Sequence, residues 1–562
     1  MTGRFPTFDG ALLALLFFAP LLSQAQDAST TQPAAWLSEE AAERGLVFRH
    51  RSGHRERFLM PEIMAGGAAL VDLDGDGDLD AYLVQSGGLE QPPELRPGNQ
   101  LFRNLGGGKF EDVSEGSGAA DRGYGMGVAA GDYDNDGDPD LYVTNVGPNV
   151  LLRNEGGLKF VDVTAAAGVG HPGWGASAAF LDYDRDGDLD LFTVNYLNWS
   201  LAGEFPCFDF AAREDYCSPM VYNAPARDIL YRNNGDGTFE DVSDPAGLGA
   251  SFGNGLGVVT GDFNADGWAD LAVANDRMLD QLWINNGAGG FNDEALLWGS
   301  AVDHEGAAKA GMGITAADLD EDEDLDLLVV NLVNESDSLY RNEGGYFTDR
   351  TASSGLGGTS RPFTRFGVGL IDFDNDGRLD LYAGNGRVAR AGARFSPADS
   401  YAEPNLLFKG LPDGHFKEIA PRGGTAELLT ATSRAAAFGD VDNDGGVDIL
   451  VVNRDGPAHL LRNVVPQRGR GVSFRVLGSC GADALGAKLT VTLGDRNLHR
   501  EVRSAYSYLA ANDPRVHVGL ESAEQIDRVS VLWLDGKREC FGPFDAERTM
   551  ITLVEGAGQP CS

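Results

Sequence analysis

The chain has 562 residues, with 85 acidic against 44 basic side chains, a formal net charge of −41 and a sequence pI near 4.4. That excess of negative charge repels nucleic acid and anionic membrane surfaces, so neither is an expected partner. Hydrophobic residues make up 42%, enough for a large core, and 76 glycines point to many tight turns.

Residues 1–25 read as a secretory signal. Arg4 precedes the apolar run Ala11–Leu22, and Ser23-Gln24-Ala25 supplies a small-x-small cleavage site. A membrane anchor is the alternative reading, but the run is short for a span. No later apolar stretch is long enough to cross a membrane, so the mature chain is expected to be secreted, periplasmic or at the cell surface. Residues 26–44 read as a linker.

Seven copies of one acidic nonapeptide follow, from DLDGDGDLD to DVDNDGGVD. The expected metal ligands in the first three are Asp72, Asp74, Asp76, Asp78 and Asp80; Asp132, Asp134, Asp136, Asp138 and Asp140; and Asp182, Asp184, Asp186, Asp188 and Asp190. The fourth offers Asp262, Asn264, Asp266 and Asp270, and the fifth Asp318, Asp320, Asp322 and Asp326. The last two offer Asp372, Asp374, Asp376 and Asp380, then Asp440, Asp442, Asp444 and Asp448. Oxygen ligands at positions 1, 3, 5 and 9, with Gly at position 6 in six copies, suit a hard divalent cation held by carboxylates on a sharp bend. Two carboxylates ~5 Å apart repel by roughly 3 kcal/mol at an effective dielectric near 20, so loops this acidic need a counter-ion. An all-oxygen, flexible set favours calcium (Ca2+) over magnesium or zinc. The loops hold 33 acids against a net charge of −41, and the acidic excess is therefore mostly a metal-binding signature.

Each loop is flanked by strand patterns: a small/apolar run before it, as in GMGVAAG, and LDLYAGN or PDLYVTN after it. A third strand carries an LxRN signature, at 101–104, 151–154, 230–233, 282–285 (LWIN), 339–342, 406–409 (LLFK) and 460–463. A fourth follows a Gly turn, as in GGGKFEDVS. Four short strands repeated seven times, at a period of roughly 50–80 residues, describe an all-β, seven-bladed β-propeller over residues 45–466. The seventh copy lacks a fourth strand, and Gly45–Ser52, with Phe48 in the place of Phe110 or Phe160, is expected to supply it and close the ring.

These repeats resemble the FG-GAP/VCBS repeats of integrin α-subunit propellers. GAKLTVTLG at 486–494, REVRSAYSYLAANDPRVHVGL at 500–520 and VSVLWLDGK at 529–537 resemble the ASPIC/UnbV (cartilage acidic protein-like) family. The resemblance implies a propeller with calcium loops, then a small C-terminal β domain over 467–558 and a tail at 559–562.

Cys207 and Cys217 lie in one insert and are expected to form a disulfide; for Cys480, Cys540 and Cys561 three pairings stay open. From acidic loop to third strand the separation is 19–21 residues in four repeats, but 29, 48 and 34 in the first, third and sixth. Those insertions lie between the second and third strands, on the face opposite the metals. Trp199, Phe208 and Tyr216 of the insert Asn195–Asp228, with Arg387, Arg390 and Arg394 of Arg387–Pro404, are the candidate ligand-binding residues. There is no HExxH, CxxC or Walker loop. A second metal site at His50, His54 and Glu62, and a polar site at Tyr508, Asp513, Arg515 and His517, are weighed and disfavoured. The expected function is calcium-supported binding of a protein or glycan partner outside the cytoplasm. The alternative is an enzyme acting on polysaccharide or a secondary metabolite on the insert face.

Overall fold

The computed structural model describes residues 33–390 and 395–561. The signal at 1–25 and Arg394 lie outside the described residues. Among the described residues no helix is long and apolar enough to cross a membrane.

The acidic repeats fold as antiparallel four-stranded sheets. The second repeat shows the pattern: Gly125–Gly131, Asp140–Asn145, Val150–Asn154 and Phe160–Asp162 pair in that order, with the acidic loop joining the first two strands. Equivalent sheets begin at Ala68–Val71, Gly175–Leu181, Gly255–Gly261, Gly311–Ala317, Arg365–Ile371 and Ser433–Gly439. First strands are built from small residues because neighbouring repeats approach backbone to backbone. A Cβ on Gly127 would lie 2.8 Å from the Ala176 carbonyl, and one on Gly313 would lie 2.0 Å from that of Phe366. The core lies between adjacent sheets: Ala69, Val71, Tyr82 and Leu101 of the first repeat pack with Val128, Ala130, Leu141 and Leu152 of the second.

The seventh repeat differs from the sequence expectation. Its fourth strand is Leu37–Glu39, paired antiparallel to His459–Asn463 with Leu37 opposite Asn463. Gly45–Ser52 is not that strand; it runs past the repeat, with the Ala458 amide donating to the Phe48 carbonyl at 3.1 Å. In the other repeats a Phe stands opposite the same third-strand position, as Phe160 opposite Asn154 and Phe239 opposite Asn233. Leu37 fills that place without the aromatic side chain or the preceding Gly turn, which hid it inside the supposed linker.

Residues 470–560 form a three-stranded and a five-stranded sheet, with a short two-stranded one pairing Gln525–Ile526 with Phe544–Asp545. Arg470–Leu477 lies between Val516–Glu521 and Met550–Val554, while Lys488–Leu493 and Arg528–Leu532 centre a five-stranded sheet. Phe474, Val491, Val529 and Trp533 belong to the buried apolar cluster there. Gln559–Pro560 pairs with Glu539 and Cys540, and a disulfide joins Cys540 to Cys561, so the end of the chain is part of the sheet rather than a tail. Cys480 is free and exposed.

One segment leaves this domain. Ala510–Ala511 pairs parallel to Ala68–Ala69, and Ser507 exchanges backbone hydrogen bonds with Ile314 at 2.7 and 3.0 Å. Ser507 Oγ donates to the Ala436 carbonyl and accepts from the Val368 amide, while the Leu509 amide donates to Ser177 Oγ. The segment therefore touches first strands of five repeats.

Candidate functional site

In every acidic loop the position-one carboxylate accepts from the backbone N–H at position six, as Asp72 Oδ2 does from Gly77 at 3.1 Å. Position five accepts from the amide two residues on, as Asp76 Oδ1 does from Asp78 at 3.0 Å. These bonds fold the loop so that acidic oxygens converge. Asp72, Asp74 and Asp76 bring ligand atoms within 4.8 Å of one another, and so do Asp132, Asp134 and Asp136; Asp182, Asp184 and Asp190; Asp318, Asp320 and Asp322; and Asp372, Asp374 and Asp380.

The donor set fits a hard cation. Asp72 Oδ1, Asp74 Oδ1, Asp134 Oδ1, Asp182 Oδ1, Asp184 Oδ1, Asp374 Oδ1 and Asp442 Oδ1 are buried without a hydrogen-bond partner, and a buried polar atom is normally satisfied. Arg103 reaches Asp74 at 2.8 Å and Asp76 at 3.1 Å, and Arg341 reaches Asp320 and Asp326, but one guanidinium cannot neutralise four carboxylates.

Position nine does a second job. Asp80 Oδ2 accepts from the Leu73 amide at 3.1 Å and Oδ1 from the Asn104 amide at 2.8 Å, tying the loop to the end of the third strand. Burial pushes Asp80 up to about 8, and Asp140 and Asp190 up to about 9. Position seven is not part of the converging group at Asp78 and Asp188. Their Oδ1 atoms accept from Asn443 and Asn135 of neighbouring loops, both at 2.8 Å.

The Asn of the LxRN strand is a functional residue that the sequence reading missed. Asn104 Nδ2 donates to the Leu79 carbonyl of its own loop at 3.1 Å and to the Val441 carbonyl of another repeat at 2.7 Å. Asn154, Asn233, Asn285, Asn342 and Asn463 make the same bridge to Leu73, Tyr133, Tyr183, Phe263 and Phe373. The recurrence of LxRN was the available signal. In the sixth repeat the frame is one residue later than expected: Phe408 pairs with Leu381, which puts Gly410 at the clamp position. Replacing Asn154 by Ala strands two buried carbonyls, and a loss of about 2–4 kcal/mol is expected in urea unfolding. A loss below about 0.5 kcal/mol would show that Asn154 does not clamp the loops.

Position four takes the left-handed conformation as well as position six. Glu321 has φ 61° and Glu323 has φ 77° in the fifth loop, whereas the first loop has Gly at both places. Glu323→Gly should therefore raise stability by about 1 kcal/mol and tighten metal binding at this loop, read by calorimetric titration.

The insert between the second and third strands of the third repeat is anchored and only partly open. Cys207 is bonded to Cys217. Trp199 Nε1 and Tyr222 OH both donate to Glu204. Tyr216 is 6% exposed, which takes its ring out of any open surface. Its hydroxyl donates to Glu62 Oε2 at 3.2 Å and accepts from Arg454 Nη2 at 2.6 Å, and His54 Nδ1 lies 2.7 Å from the same carboxylate oxygen. His50 is separate, buried against Ser86 Oγ at 3.0 Å, so the two histidines do not share a site. Arg387 pairs with Glu403 at 2.8 Å, and the Arg390 guanidinium lies 5.1 Å over the Phe58 ring. Phe208, Phe210, Met220 and Val221 of the insert remain exposed, Phe208 at 63%.

The model of the FG-GAP-like repeat family matches residues 72–193 and 220–383, taken as five overlapping or adjoining repeats, and that of ASPIC and UnbV matches 478–560. The chain belongs to the FG-GAP-like repeat family. Cartilage acidic protein 1 of Xenopus tropicalis is 27% identical over 249 residues, which are 41% of this chain and 35% of that protein. The human protein of the same name is 24% identical over 349 residues, 59% of this chain and 40% of its own length. The chain thus spans well under half of these relatives. A solved structure of an Agrocybe aegerita lectin, described as recognising non-reducing terminal N-acetylglucosamine, aligns over 70% of this chain and 86% of its own. It has a TM-score of 0.38 and 17% identity.

In this FG-GAP-like chain the ASPIC and UnbV domain sits on the acidic loops. Arg475 Nη1 donates to Asp72 Oδ2 at 3.2 Å and Lys488 Nζ to Asp262 Oδ2 at 2.6 Å. Glu321 Oε2 accepts from the His499 amide at 2.7 Å and Oε1 from Arg500 at 3.0 Å, which gives a purpose to its strained backbone. Tyr508, Asp513, Arg515 and His517 do not form one site. Tyr508 is buried among the first strands and donates to the Met64 carbonyl at 2.8 Å. Arg515 Nε donates to both carboxylate oxygens of Asp513 at 2.8 Å. His517 Nε2 meets Asn375 Oδ1 at 2.8 Å, and burial pushes this imidazole down to about 3, so it is neutral.

Proposed function

We propose that this chain is an exported, calcium-stabilised seven-bladed propeller that binds a protein partner through the insert of its third blade. Ring closure is supported by adjacency: each first strand neighbours the next, Ser433–Gly439 neighbours Ala68–Val71, and Asn104 bridges to Val441. Export is supported by the two disulfides and by the signal pattern at 1–25. The domain division is a signal, a propeller that starts at the strand Leu37–Glu39, and the C-terminal domain.

The observation that carries the binding reading is the exposed apolar group Phe208, Phe210, Met220 and Val221 on a loop pinned by a disulfide and buried anchors. Solvated aromatics held on a rigid base are the residue types that dominate protein interfaces. Calcium serves as scaffold, since the metal loops lie at the other end of the second strand. Pull-down with mature protein in millimolar calcium should recover a partner whose capture is lost in a Phe208→Ser, Phe210→Ser variant of unchanged melting temperature. Equal capture by both proteins would remove the insert as the site.

A second reading rests on the convergence of His54, Glu62, Tyr216 and Arg454 on the insert face, an acid/base set suited to polysaccharide cleavage. Only His54 of the four reaches intermediate exposure, and the others are satisfied internally. Release of reducing ends by the wild type but not by Glu62→Gln would favour it.

A further inference from the structure

The acidic loops touch one another through a single side chain, the residue at position four. Asn135 Nδ2 of the second loop donates to the Gly187 carbonyl at 3.4 Å and to Asp188 Oδ1 at 2.8 Å in the third. Arg185 of the third loop donates through Nη2 to the Gly267 carbonyl of the fourth, and its guanidinium lies 4.1 Å over the Trp268 ring there. Asn375 of the sixth donates to the Gly445 carbonyl of the seventh at 2.8 Å. Asn443 of the seventh donates to the Gly77 carbonyl of the first at 3.3 Å and to Asp78 Oδ1 at 2.8 Å. In all four cases the receiving carbonyl is that of position six.

At the other three junctions position four cannot make this bridge. Gly75 in the first loop has no side chain, and Ala265 in the fourth has only a methyl group. Glu321 in the fifth is an acceptor, turned to the His499 amide and to Arg500 of the C-terminal domain. The sixth loop, which follows Glu321, is met from that domain instead: Arg496 Nη2 donates to the Gly377 carbonyl at 3.4 Å. The loops therefore fall into one run of six, seven and one, a second run of two, three and four, and the fifth by itself. The Asn clamp does not draw these lines. It also crosses the junctions between loops one and two, from Asn154 to Leu73, and between four and five, from Asn342 to Phe263.

Each bridge joins the metal-binding parts of two loops. On the giving side the bridging residue stands between two expected ligands, as Arg185 does between Asp184 and Asp186. Asp184 Oδ1 is buried without a hydrogen-bond partner, so this stretch is set only when the loop is filled. On the receiving side the position-six residue gives its own N–H to the position-one carboxylate. Gly267 donates to Asp262 Oδ2 and Gly445 to Asp440 Oδ2, both at 2.8 Å. Fixing positions three and five of one loop fixes the side chain between them, and that side chain holds the residue that orients the first carboxylate of the next. A loop whose turn is already held loses less freedom when it binds, which is positive coupling without a change of shape. By linkage the effect runs in both directions.

We infer that the position-four side chains are positioning residues that make calcium binding cooperative within two runs of three loops, with the fifth loop independent. The inference rests on calcium in the acidic loops and extends that reading from what the loops hold to how they fill.

The fourth loop carries its own reporter in Trp268. Terbium(III), a hard ion that takes oxygen ligands as calcium does, luminesces when a nearby indole is excited. The part of that signal lost in Trp268→Phe belongs to the fourth loop. The full mature chain is titrated with terbium and the midpoint of this signal is read. Emptying the third loop with Asp184→Ala, Asp186→Ala should move the fourth-loop midpoint about fivefold or more to higher terbium. Arg185→Ala should move it by a similar factor with the third loop's ligands intact, and the combined variant should move it no further. Arg185→Asn, which installs the residue used by the second, sixth and seventh loops, should restore the wild-type midpoint. Melting temperatures are checked, and Arg185→Ala stands as the second variant if the emptied loop fails to fold. An unmoved midpoint in Arg185→Ala would overturn the coupling while leaving calcium in the loops. So would shifts that multiply in the combined variant, or equal shifts in Arg185→Ala and Arg185→Asn. A wild type that binds neither terbium nor calcium would overturn the calcium reading itself, and the coupling with it.

Discussion

Chelating calcium should lower the melting temperature of the mature protein by roughly 10 °C at pH 8. Extracellular calcium modules bind with Kd of about 10⁻⁴–10⁻³ M, so each loop gains roughly 1 kcal/mol at millimolar calcium, and seven loops add up. The metal-free fold should also carry an inverted pH profile. Burial raises Asp80, Asp270, Asp326 and Asp448 to about 8, and Asp140 and Asp190 to about 9. Between pH 4 and 8 these groups hold a proton in the metal-free fold and have lost it in the unfolded chain. Their contribution to stability is therefore complete below their unfolded values near 4 and disappears as pH rises through 8 to 9. Chelated protein should melt lower at pH 8.5 than at pH 5.5. Calcium-loaded protein should not follow that fall, because the metal takes the ionised carboxylate. Parallel profiles with and without calcium would show that the buried aspartates are not metal ligands.

Removing residues 33–40 should abolish cooperative unfolding or send the protein to inclusion bodies. The deletion strips Leu37–Glu39 from the last sheet and leaves His459–Asn463 as an open edge. It also removes the Trp36 bonds to Gly424 and Val464 at 2.8 Å, and the burial of Leu37, worth roughly 2 kcal/mol. The milder Leu37→Ala should cost about 2–4 kcal/mol with folding intact, which separates loss of packing from loss of the strand. Deletion of 33–40 with a sharp, wild-type urea transition would mean that the chain ends do not complete the sheet.

The sequence carried the acidic loops and the four-strand repeat because both are local: a nonapeptide spacing and a period of two need no partner to be visible. Position four was not legible as a special backbone site, since Gly75, Asn135, Arg185, Ala265, Glu321, Asn375 and Asn443 share a left-handed φ but no common side chain. The strand Leu37–Glu39 was hidden because its pairing spans more than 420 residues and its key residue is Leu, not Phe. The same applies to Ser507–Asn512. Nothing in SYLAAN announces that it leaves its own domain, and its left-handed Ser507 and Leu509 make sense once the first strands are around it. Composition marked the insert as rich in aromatics, but it could not sort Tyr216, which is buried, from Phe208, which is not.

Whether calcium fills the acidic loops is tested most directly by counting it. Metal analysis of mature protein after equilibrium dialysis against about 1 mM calcium should find about seven ions per chain, one for each acidic loop. Retention of fewer than about two would contradict it.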